Sequence, residues 1–139
     1  MDSLGGQGRS VWTVNDQVTR CVSVNVSDAP ALRTELRRLA TLSPRVVSIN
    51  LSDNEYLQIG IGGISAFVEH VIENPWKAAV ALSRYGAVNS LPDFVSFICG
   101  GQDTEVPSYM LMSALEAIDL VVEFATLGTS PPGQEWELV

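Results

Sequence analysis

The chain has 139 residues, of which 46% are hydrophobic and 17% charged, and its formal net charge is -8. That length and composition suffice for one domain with a core that needs no disulfide or metal staple, and they exclude an intrinsically disordered chain. The charge is split: residues 1–45 carry six Arg against four carboxylates, whereas residues 46–139 carry Lys77 and Arg84 against twelve carboxylates.

The first ten residues, MDSLGGQGRS, are Gly-rich and expected to be loose, and residues 11–139 are expected to form a single domain. VWTV (11–14) and RCVSVNV (20–26) alternate apolar with polar, the mark of half-buried strands, and NDQVT between them reads as a hairpin connection. SDAPALRTELRRLATLS predicts the first helix. Ser27 or Asp28 can cap it, Pro30 fits its first turn, and Leu32, Leu36 and Leu39 recur at helical spacing, with Arg33, Arg37 and Arg38 expected to face water. Strands are predicted over 45–52, 56–63 and 77–83. Residues 64–71, ISAFVEHV, read equally as strand or helix. FVSFICGG (94–101) is a further strand, and GGQDTEV (100–106) reads as a Gly-rich loop bearing Asp103 and Glu105.

The last third is better punctuated. Ser113 and Glu116 form the S-x-x-E capping box of a helix whose apolar stripe is Leu115, Ile118, Val121, Val122 and Ala125. Gly128 supplies its left-handed end, and Pro131 and Pro132 forbid continuation. EWELV is a final strand expected to bury Trp136 against that stripe as a structural lock. Strands in a row around two helices predict an α+β fold with a mostly antiparallel sheet.

Catalytic chemistry is hard to assemble from these residues. His70 is the one histidine, and a lone histidine reads first as a surface or hydrogen-bonded residue. Cys21 and Cys99 lie 78 positions apart without metal-ligand spacing and are expected to be small buried thiols. GIGG (60–63) lacks the Lys-Ser/Thr of a phosphate loop and reads as a tight hairpin. No catalytic residue, metal site or cofactor is therefore predicted. The N-terminal segment lacks the apolar stretch of a signal peptide, and Glu69, Glu73 and Lys77 break the longest apolar run, so a cytoplasmic protein without a membrane partner is expected. An acidic field repels a phosphate backbone and attracts a basic protein. The expected contact residues for that partner are Asp103 and Glu105 with the neighbouring Tyr109, and secondly Asp53 with Glu55.

The last 46 residues carry a familiar order: Gly100-Gly101, Thr104-Glu105-Val106-Pro107, Glu123-Phe124, Gly128, Pro131 or Pro132, Trp136 and Val139. In this order and spacing the chain resembles immunity protein family one, the small cytoplasmic antidotes of bacterial polymorphic toxin systems. The likeness covers roughly the last third, and it departs at GTSPP, where the family commonly places a basic residue before its proline. The resemblance implies a non-catalytic protein that binds a cognate toxin domain, often a nucleic-acid deaminase or nuclease, and occludes its active site. Two alternatives stand beside it. One is a small-ligand-binding or accessory protein of the same fold, which an enclosed apolar pocket would favour over an open acidic face. The other is an enzyme using Asp103, Glu105, His70 or a tyrosine.

Overall fold

In the computed structural model the described residues are 12–16, 22–63, 65–86 and 91–139. The elements in chain order are β1 (Trp12–Asp16), β2 (Val22–Val26), α1 (Ala29–Ala40), β3 (Arg45–Ser52), β4 (Glu55–Ile61), β5 (Ser65–Glu73) and β6 (Trp76–Ala81). They continue with β7 (Phe94–Cys99), β8 (Gln102–Pro107), a single 3-10 turn (Ser108–Met110), β9 (Met112–Ser113), α2 (Ala114–Leu127) and β10 (Trp136–Leu138). The strands run β10-β6-β5-β4-β3-β1-β2, antiparallel at every step, and β7 joins β3 through one parallel pairing, Arg45 with Ile98. The fold is α+β, as the sequence predicts. The loose segment 1–10, Cys21 and the side chains of Val22, Ser23 and Val24 lie outside the described residues.

Of the segment 64–71, ambiguous in sequence, the described residues 65–71 belong to strand β5, and the reason for the ambiguity is visible. Ala66 and Val68 face the helices while Phe67 and Val71 are buried on the opposite face, so no polar alternation marks either side. Both helices cover one face. Leu32, Leu36 and Leu39 of α1 are fully buried against it, together with Val47, Ile49, Leu57, Ile59 and Ile61 of the central strands. Asp28 caps α1, its side chain accepting from the Ala31 N–H at 2.9 Å. Arg33 is half-buried rather than free in water, because it forms an ion pair with Asp119 of α2.

Among the described residues, the opposite face is covered at one end only. There the β7–β8 hairpin and its 3-10 turn close a second, smaller core of Val46, Phe67, Phe97, Val106 and Leu111. The Phe67 and Phe97 rings meet edge to face at 5.2 Å. Gly60 makes this possible: Phe67 lies across it, and a Cβ there would stand 2.1 Å from the ring. Three expectations are corrected here. GGQDTEV is not a loop, since only Gly100 and Gly101 turn and Gln102–Pro107 pairs with β7 as an edge strand. Asn15 and Asp16 belong to β1 instead of the following connection. Cys99 is half-buried, on the flank of the second core.

Helix α2 occupies the predicted span, capped by Ser113, whose hydroxyl accepts from the Glu116 N–H at 3.1 Å. The capping box is only half made. Ser113 already pairs with Ser65 in the short β5–β9 ladder, and the Glu116 carboxylate instead accepts from the Ser83 hydroxyl and the Arg84 N–H at 2.7 and 2.8 Å. Leu115 is 66% exposed, so the buried stripe runs through Ala117, Ile118, Val121, Val122, Phe124 and Ala125 without it. Gly128 ends the helix at φ 77°.

Strand β10 returns beside β6, pairing Trp136 with Ala81. Trp136 is half-buried rather than buried: its ring stands edge-on to Phe124 at 5.9 Å and its N–H donates to the Ser130 hydroxyl at 2.8 Å. Full burial of such a ring is worth about 3–5 kcal/mol on truncation to alanine. Trp136→Ala is therefore expected to lose about 2–3 kcal/mol, read as a shift in a denaturant midpoint.

Candidate binding face

The sheet face that the helices leave uncovered carries the candidate site. Side chains alternate along a strand, so the register decides which groups share that face. Tyr56 pairs with Val71, Gln58 with Glu69 and Glu73 with Trp76. Tyr56 and Gln58 of β4 thus join Glu69 and Glu73 of β5, with Ser48 and Asn50 of β3 beside them. Ser48, Asn50, Tyr56, Gln58, Glu73 and the turn residue Asp53 line an open trough of about 590 Å³. At the hairpin end, Gln58 also borders a second hollow of about 300 Å³, walled by Val46, Phe67, Val80, Val106 and Met110 and carrying Glu69 and Glu105.

The electrostatics of this face are one-sided. Among the described residues, its two hollows are lined by Asp53, Glu69, Glu73 and Glu105 and by no Lys or Arg. The arginines of the first third are largely committed elsewhere: Arg33 to Asp119, Arg38 to Glu35, and Arg45 to Asp16. Burial pushes the Tyr56 hydroxyl's pKa above its ordinary value, and the carboxylates of Glu73 and Glu69 push it in the same direction. Burial likewise raises the Glu69 carboxyl. A carboxyl raised in the fold holds its proton more tightly folded than unfolded, so its contribution to stability is present at low pH and is lost as pH rises through its folded pKa. Glu69→Gln is therefore expected to stabilise the protein at pH 7, by under about 1 kcal/mol because the group keeps some water, and to have no effect at pH 3. Urea melts at both pH values check this, and an equal gain at both would remove burial of charge as the cause.

The residues singled out in the sequence are only partly brought together. Asp53 lines the trough, and Glu105 stands at the rim of the second hollow, with Asp103 two positions before it on exposed β8. Tyr109 is 56% exposed but borders a separate hollow with Leu82 and Trp136. Glu55 turns to the helix side, where its carboxylate lies 2.6 Å from His70 Nε2. His70 in turn packs on Phe124 and Trp136 at ring distances of 4.9 and 6.0 Å, so this pair buttresses the C-terminal lock. Tyr56, Gln58, Glu69 and Glu73 were missed, as was Trp76, which is 66% exposed on the same face, across from Glu73. The available signal was polar and aromatic residues at positions 56, 58, 69 and 73, legible only once β5 is known to be a strand.

Among the described residues no three metal-ligating side chains gather, and no helix is long and apolar enough to cross a membrane. No protein-family model and no curated protein matches the sequence.

Proposed function

We propose that this is a non-catalytic binding protein that occludes a basic protein domain, of the kind found in toxins acting on nucleic acid. The observation that carries the reading is the uncovered sheet face. It is open, it holds carboxylates without a lining cation, and it displays Tyr56 and Trp76, ring types that protein interfaces favour at their centres. An enzyme that grips a phosphate backbone needs a basic groove, and an acidic concave face competes for that groove by charge. The resemblance of the last third to immunity protein family one points to the same partner class.

The test is neutralisation. Any toxin domain encoded in a gene adjacent to this one is expressed with and without the protein, and its nucleic-acid-modifying activity is measured in purified mixtures. Stoichiometric loss of activity on adding the protein is the expected result. Undiminished activity at saturating protein, or the absence of any adjacent toxin domain, would refute the reading.

A further inference from the structure

The second hollow differs from the trough in chemistry. Its walls come from two layers: Val46, Phe67 and Val80 from the sheet, and Cys99, Val106 and Met110 from the hairpin and its 3-10 turn. At about 300 Å³ it lies at the lower end of small-ligand sites, enough for a short chain and not for a drug-sized molecule. One carboxylate, that of Glu69, stands half-buried inside it, and no side-chain hydrogen bond or ion pair joins it to another described residue. Gln58 borders it on one side and Glu105 stands at its rim. Apolar walls around one uncompensated anion fit a molecule with an apolar body and a single positive end. Neutral hydrocarbon would leave the carboxylate desolvated without a partner, and an anion would be repelled by Glu69 and Glu105 together.

We propose that this cleft is a binding site for a small primary alkylamine of about four to six carbons. The ammonium ion-pairs with Glu69 and the chain lies between Phe67, Val80 and Met110. The hairpin that forms one wall is fixed by the Phe67–Phe97 contact and by Gly60, so the cleft is built into the second core instead of forming around the ligand. The cleft shares Gln58, Glu69 and Glu105 with the face proposed for a protein partner, whereas Asp53, Tyr56 and Glu73 of the trough lie outside it, so variants there separate the two readings.

The experiment uses hexylamine, hexanol and hexanoate as probes, titrated into the methyl-labelled full chain and followed by NMR at Val46, Val80, Val106 and Met110. Hexylamine is expected to shift these methyls and to bind at least about tenfold more tightly than hexanol, as suits a charge-assisted contact in a partly dry site, with hexanoate not binding. Glu69→Gln should remove that preference while hexanol binding stays within about twofold; Asp53→Asn should change neither. Equal affinity for hexylamine and hexanol overturns the proposal, as does retention of the preference in Glu69→Gln or shifts centred on Tyr56. Tighter binding of an Nα-acetyl-lysine amide than of hexylamine would assign the cleft to a partner's lysine and overturn the small-molecule assignment.

Discussion

Asp16→Ala is expected to cost about 3–5 kcal/mol of folding stability, the largest single loss among changes outside the apolar core. The Arg45 and Asp16 side chains are only 6% and 8% exposed and meet at 2.7 Å, and Arg45 also donates to the Ser43 carbonyl at 3.0 Å and to the Ser43 hydroxyl at 3.1 Å. Removing the carboxylate strands a buried guanidinium with too few acceptors, and that desolvation penalty dominates the lost attraction. Replacing both partners by apolar residues of similar volume, Asp16→Leu with Arg45→Met, is expected to be near neutral or stabilising. Urea midpoints of the single and double variants decide it; a single variant within 1 kcal/mol of wild type would mean that water reaches the site. The consequence reaches the binding face, because Arg45 begins β3 and pairs with both Ile61 and Ile98. Ser48 and Asn50 of the trough follow on the same strand.

The second large effect concerns association. Asp53→Lys with Glu73→Lys changes the trough by four charge units and leaves the core untouched, since both side chains are exposed. The association rate with a basic toxin domain is expected to fall by about 10- to 100-fold at low salt, and its dependence on ionic strength to flatten. Trp76→Ala should act differently. A half-exposed ring that becomes covered on binding contributes mainly to residence time, so the dissociation rate should rise by about 30-fold, equivalent to about 2 kcal/mol. Stopped-flow association and surface-captured dissociation separate the two. A charge-reversed variant with an unchanged association rate would place the interface on another surface.

How much of this was legible in sequence differs between the helices and the sheet. Helix α2 could be bounded at Ser113 and Gly128 because caps depend on local chemistry that each residue carries with it. The leucines of α1 were readable for the same reason: period 3.6 needs no partner. The candidate binding face was not readable, because it depends on register. Asp53 of the turn and Glu55 at the start of β4 are two positions apart, yet the first lines the trough and the second turns back to His70. A slip of one residue reverses every side chain of a strand, and sequence alone does not fix that step where an apolar run such as Ala66-Phe67-Val68 is buried on both faces. The Asp103–Glu105 stretch read as a loop because Gly100 and Gly101 open it and Asp103 and Glu105 have low strand propensity. Pairing with Phe94–Cys99 overrides that preference and leaves a short charged edge, a form that resists pairing with other chains.

The central claim is that the sheet face opposite the helices is the surface that meets a basic partner. Backbone hydrogen exchange of the protein alone and mixed with a candidate basic toxin domain is the direct check. Added protection is expected across β4, the second half of β5 and the turn at Asp53, with α1 and the exposed side of α2 unchanged. Protection confined to the helices, or to the hollow beside Tyr109, would contradict it.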